Sequence, residues 1–157
     1  MEGFDAVISA FAAWTPETFG FHKKVAKHLA DALSGTKTRL LVIGGAGVLY
    51  TDASRKTRLM DTPSFSAEYM GVAKATAESF SELKGRKGVL WTYVSPAGDY
   101  DANGARTGRY VLGGDNLILN SKNESYISYA DLALAVIDEL KNGAFVQKRF
   151  TAVGERA

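Results

Sequence analysis

Three apolar runs, at residues 4–12, 39–43 and 88–94, are hydrophobic at nearly every position rather than at alternate ones. That pattern predicts strands buried on both faces, as in a parallel sheet. Helical periodicity fills the gaps between them. Thr15 and Pro16 supply an N-cap and a first-turn proline, Phe21, Val25, Leu29 and Leu33 recur every four residues, and Gly35 stops the pattern. Lys23, Lys24 and Lys27 fall off that stripe and are expected on a solvated face. After the second strand the helical signal is delayed by a polar loop over residues 48–64. A second helix is predicted from about Ser66, with Tyr69, Val72, Thr76, Phe80 and Leu83 on one face and Gly85 at its end.

Beyond the third strand, residues 99–107 are rich in Gly, Asp and Asn and predict a loop, and residues 108–112 and 116–120 are short strand candidates. Ser128 and Asp131 form a capping-box-like start, with Ile127 and Leu132 spaced for a hydrophobic staple. The helix they open runs to about Lys141 and ends at Asn142-Gly143, before a last strand over residues 145–153. Strands alternating with helices predict right-handed parallel crossovers, hence an α/β fold with helices on the faces of a parallel sheet. No repeat or linker interrupts the chain, so residues 1–157 are expected to form a single domain.

Composition narrows the function classes. The 157 residues are 46% hydrophobic and 23% charged, with a net charge of +2. This balance gives no electrostatic reason to expect nucleic acid or a membrane as partner. The absence of cysteine removes disulfides and thiolate metal sites and fits a reducing compartment. No apolar run approaches the ~18 residues of a membrane span. The acidic start Met1-Glu-Gly-Phe-Asp5 lacks the basic region of a signal peptide, so a cytoplasmic location is expected.

The stretch Leu40-Leu-Val-Ile-Gly-Gly-Ala-Gly-Val-Leu49 runs a strand into a glycine-rich loop. A dinucleotide fingerprint would need G-x-G-x-x-G opening a helix, but Tyr50 holds the third glycine's position and a polar loop follows. The phosphate-loop pattern with its lysine also fails. Two readings remain: a turn that only closes the strand, or a ligand-facing loop at the carboxyl end of a parallel strand.

That stretch, together with Asp61-Thr-Pro63, Trp91-Thr-Tyr-Val-Ser-Pro-Ala97, Arg106-Thr-Gly-Arg-Tyr110 and Ser125-Tyr-Ile-Ser-Tyr-Ala-Asp131, resembles the NAD(P)H-binding, NADH-flavin-reductase-like branch of the atypical short-chain dehydrogenase/reductases, the NmrA-like group. The resemblance implies a partial Rossmann-like sheet, corresponding to the later strands of the family's domain without its first glycine-rich βαβ unit. It implies that Ser9, Ala10 and Phe11 lie near the cofactor ribose, and that Gly44, Gly45, Ala46, Ser95, Pro96 and Ala97 lie near the nicotinamide. NAD(P)H is the implied cofactor, and a flavin, quinone or other small molecule the implied acceptor. A non-catalytic NAD(P)-sensing or interaction module, or an inactive fragment, is the alternative. Three core strands without further sheet neighbours would leave an apolar edge that invites a homodimer or aggregation, so the chain is expected to self-associate or to be marginally stable.

The residues also limit the chemistry. Tyr-x-x-x-Lys would let a lysine lower the tyrosine pKa, but Tyr69 is followed four residues on by Ala73, and Lys74 is turned away by ~100°. Tyr69 is therefore a weak catalytic candidate, expected to pack on the helix's apolar face. Arg106 and Arg109 are expected in a solvated loop. His22 and His28 lie roughly 120° apart around a helix and do not suit joint metal ligation. Neither Ser9 nor Ser95 sits in a nucleophile elbow, and no metal site is expected.

Overall fold

Side chains alternate across a strand, so each central strand here feeds two separate cores. Leu40, Val42, Trp91 and Tyr93 pack with Ala26, Ala30, Leu33 and Leu83 on one side of the sheet. On the other, Leu41, Val94 and Phe150 pack with Leu132, Ala135 and Val136. Full burial of each large aliphatic side chain contributes about 1.5–3 kcal/mol, which is what holds helices on both faces.

The computed structural model describes residues 3–157. Its elements are β1 (Ala6–Ser9), α1 (Gly20–Leu33), β2 (Arg39–Ile43), α2 (Met70–Lys84), β3 (Leu90–Ser95), β4 (Asp99–Asp101), β5 (Tyr110–Gly113), β6 (Tyr126–Ser128), α3 (Tyr129–Asn142) and β7 (Lys148–Gly154). Five strands form one sheet in the order β1-β2-β3-β7-β5. All are parallel except β5, which runs antiparallel to β7. β4 and β6 make a separate two-stranded parallel pair. The outer edge of β1 carries no strand among the described residues, and Ile8 there is 44% exposed. No described helix is long and apolar enough to cross a membrane.

The α/β architecture and its parallel crossovers follow the sequence pattern, but several elements differ. β1 is four residues long rather than spanning 4–12, because the chain leaves the sheet at Ala10. Thr15 and Pro16 do not cap α1; Thr18 and Phe19 amides bond back to the Thr15 carbonyl in a separate turn, and the helix starts at Gly20. The buried stripe of α1 is His22, Ala26, Ala30 and Leu33, one position on from the expected face, and Phe21 is exposed. Residues 116–120 form no strand beyond an isolated bridge from Asn116 to Tyr50. Part of the expected 99–107 loop is β4, whose Asp-Tyr-Asp composition gives no local strand signal.

Helix α3 is tied down by two polar networks. Arg39 on β2 donates to Glu139 Oε1 (2.8 Å) and Thr92 Oγ1 (2.9 Å), and Glu139 also accepts from the Phe145 amide (3.0 Å). Breaking so buried a pair costs about 3–5 kcal/mol. At the other end, the Ser128 hydroxyl caps the helix by accepting from the Asp131 amide (3.0 Å). The Asp131 carboxylate does not close the box. It accepts instead from Thr107 N (3.0 Å), Thr107 Oγ1 (2.6 Å) and Gly108 N (2.9 Å), fastening the loop before β5.

Burial pushes the Asp131 acid up, but the hydrogen bonds from Thr107 and Gly108 outweigh it and the net shift is downward. A carboxylate held below its unfolded value stabilises the fold at neutral pH, and that contribution is lost as pH falls through the folded value. Asp131→Asn is expected to lower the melting temperature at neutral pH and to flatten its decline into acid. Thermal melts across the acid range that fall as steeply as for the unsubstituted chain would contradict this role.

Candidate functional site

Because β1, β2 and β3 are parallel and in register, with Ser9 opposite Val42 and Ile43 opposite Val94, their carboxyl ends open on one edge. A cleft of about 700 Å³ lies there. Ala10, Phe11, Gly44, Gly45, Ala46, Pro96 and Ala97 line it, which brings together seven of the nine strand-end residues singled out in the sequence. Ser9 and Ser95 stay behind the wall. Both are buried, and the Ser95 hydroxyl has no hydrogen-bond partner among the described residues.

The wall is thin because it is backbone. A Cβ on Gly44 would overlap the phenol of Tyr93, and one on Gly45 would come within 2.8 Å of Thr76 Oγ1. Tyr93 is fully buried and donates to the Thr76 carbonyl (2.8 Å); burial pushes its phenol pKa up, so it stays neutral. The glycines are therefore required on the core side, and the same lack of side chains leaves a flat face toward the cleft.

Arg149, which the sequence reading passed over, and His22, weighed there only as a metal ligand, hold the cleft's loops. Arg149, the second residue of β7 and 4% exposed, donates to the Val48 carbonyl (2.7 Å), the Asp115 carbonyl (3.0 Å) and Asp115 Oδ1 (3.1 Å). Its guanidinium also lies 4.8 Å from the Phe80 ring centroid, a cation–π contact. The sequence carried little signal for this, since Arg149 directly follows Gln147 and Lys148 at the polar start of the apolar stretch Phe150 to Val153. His22 Nε2 lies 3.0 Å from the Ala13 carbonyl oxygen and 3.3 Å from its amide nitrogen, so either tautomer pins the segment after β1 to α1.

Beside aliphatic residues such as Ile43, Leu59 and Val72, the remaining wall carries the aromatic side chains of Trp14, Phe65, Tyr69, Tyr100 and Tyr129. Tyr69 is half exposed at the rim, in a single turn before α2, and does not pack on the helix's apolar face as expected. Ala73 lines the cleft at the position a catalytic lysine would take, and Lys74 is exposed and outside it. Asp99 is the one charged residue among the described residues lining the cleft, and its carboxylate pairs with Arg156. Arg106 and Arg109 are exposed, as expected of a solvated loop. Asp52 is held down to about 2 by the Ser54 hydroxyl and the Thr57 amide, and Asp61 pairs with Arg58, so both carboxylates serve their own loop. Among the described residues no group of three or more His, Asp or Glu side chains could hold a metal ion.

Gly44→Ala is expected to destabilise the chain by about 1–3 kcal/mol through overpacking against Tyr93. Gly114→Ala, which meets nothing within 4 Å, is the control and should be nearly neutral in urea unfolding. Equal unfolding midpoints for the two variants would contradict the packing described.

Comparison with known proteins places this geometry. The sequence profile of the NAD(P)H-binding family matches residues 1–143. The uncharacterized protein YwnB of Bacillus subtilis (strain 168) is 46% identical over 153 residues, covering 97% of this chain and 71% of YwnB. The crystal structure of a candidate NADH-flavin reductase from Streptococcus pneumoniae TIGR4 superposes with a TM-score of 0.95 at 45% identity, covering 98% of this chain and 73% of that one. A candidate epimerase from Bacteroides thetaiotaomicron superposes with a TM-score of 0.82 at 36% identity, covering 99% and 70%. The mostly parallel sheet flanked by helices is shared with Rossmann-fold NAD(P)-binding proteins. The chain belongs to the NAD(P)H-binding family.

Proposed function

We propose that the chain is an NAD(P)H-dependent oxidoreductase passing hydride to a small planar acceptor, a flavin or a quinone, in the cleft above β1, β2 and β3. The observation that carries this reading is the convergence of three parallel strand ends, with Gly44, Gly45, Ala46 and Ala97 forming a wall that a flat ring can approach closely. Open α/β sheets place their ligands at this edge. The name carried by the Streptococcus pneumoniae relative supports the acceptor class.

NAD(P)H, when bound, supplies the hydride. The lining fits its nicotinamide ring rather than its diphosphate, since Asp99 is the charged residue there. The chain's own contribution is positional. Small residues set the distance to the ring, Arg149 and His22 fix the loops that carry them, and the aromatic rim displaces water. With Ala73 in place of a lysine, the tyrosine–lysine proton relay is absent at Tyr69, and the reading needs no acid at that position. The same absence favours a second reading, a non-catalytic NAD(P) sensor.

Steady-state oxidation of NADH and NADPH with riboflavin, a phosphorylated flavin and a naphthoquinone tests the reading. Turnover is expected, and Tyr69→Phe should hold kcat/KM within about threefold of the unsubstituted chain. Saturable cofactor binding without turnover on any acceptor would overturn the reductase and select the sensor.

A further inference from the structure

Resting on the reading of the cleft as an acceptor site, we propose that it selects uncharged planar aromatic acceptors, seating the ring against the stacked pair Tyr100–Tyr129 and disfavouring the phosphorylated form of the same ring. The pair is built by pieces distant in sequence. Tyr100 lies on β4 and Tyr129 opens α3, and the β4–β6 register that sets Tyr100 against Ile127 and Asp101 against Ser128 brings them side by side. Their ring centroids are 3.9 Å apart with planes inclined by 28°, a stack that places two flat rings in the cleft wall. Tyr129 remains 45% exposed, and Phe11 and Trp14, 38% and 65% exposed, line the same cleft from the segment after β1. Large aromatic surfaces left open around one concavity mark a surface shaped for an apolar ligand.

Charge sets the second half of the preference. No lysine or arginine is among the described residues that line the cleft. Arg156, the cation at its margin, is already engaged by Asp99, lies 3.4 Å from Glu124 Oε2, and sits 3.9 Å from the Tyr126 ring centroid. A phosphate entering beside Asp99 would meet a carboxylate and no free guanidinium fork. Burial, with Tyr129 alongside, pushes the Tyr100 phenol up to about 12, so that ring stays neutral at physiological pH.

Riboflavin and flavin mononucleotide share one ring and differ in the phosphate, so quenching of their fluorescence by the chain, with NADP+ present and absent, tests the proposal directly. Riboflavin is expected to bind at least about tenfold more tightly, because the phosphate meets Asp99 without a cation. Tyr129→Ala is expected to weaken riboflavin by about fivefold while Tyr129→Phe, which keeps the ring, binds like the unsubstituted chain. Asp99→Asn, which releases Arg156, should narrow the gap between the two flavins. Equal or tighter binding of the phosphorylated flavin, riboflavin binding indifferent to Tyr129→Ala, or no binding of either flavin would overturn it. The readout needs no turnover. A riboflavin preference without NAD(P)H oxidation would keep the subsite and remove the reductase, and turnover with equal flavin affinities would do the reverse.

Discussion

One buried cation, the Arg149 guanidinium, fixes the geometry on which the cleft depends. It rises from the start of β7, binds the Val48 carbonyl and both the carbonyl and carboxylate of Asp115, and lies over Phe80 of α2. A charge removed from water this far is tolerated only with a full set of partners, and those partners are the loops around β2's end. The 3₁₀ turn Ala46–Val48 is thereby held against the sheet, and Gly44 and Gly45 can lie directly on Tyr93 and Thr76. The flat wall of the cleft is a consequence of that clamp.

Two pressures meet at Gly44. The core beneath requires no side chain because Tyr93 occupies the space, and the proposed ring-binding role of the cleft above would benefit from the same absence. This is why a glycine-rich strand end appears without the phosphate-cradle spacing. The glycines serve close packing, and among the described residues only a three-residue 3₁₀ turn, no α-helix, opens directly behind them where a phosphate cradle would need one. Family membership rests on the sequence profile and on the relatives' shared fold.

How much of this was legible depended on whether the signal was local. β2 was readable to the residue, since Leu40 to Ile43 is an unbroken apolar run that Arg39 opens after a glycine stop, and Ser128 announced α3 through its cap. The start of α1 was not. Thr15-Pro16 carries a genuine start signal, but it serves a separate turn, and His22's bond to Ala13 rotates the helix so that Phe21 faces out. β4 and β6 are three residues each and exist through pairing between positions some 27 residues apart, as in Gly98 N to Ser125 Oγ. The strand ends of the site could be named from sequence because they end apolar runs. The aromatic wall could not, since Trp14, Phe65, Tyr100 and Tyr129 come from loops and element ends whose convergence is tertiary.

On the proposed reading, strand ends within this chain form a surface for the nicotinamide ring. Calorimetric titration of NADPH and NADH into the chain and into Ala46→Phe, which fills the cleft from the first residue of the Ala46–Val48 turn, tests it most directly. Saturable binding that weakens by about tenfold or more in Ala46→Phe, with the fold's melting preserved, is the predicted result. Failure of the unsubstituted chain to bind either nucleotide, or binding that ignores the phenylalanine, would contradict it.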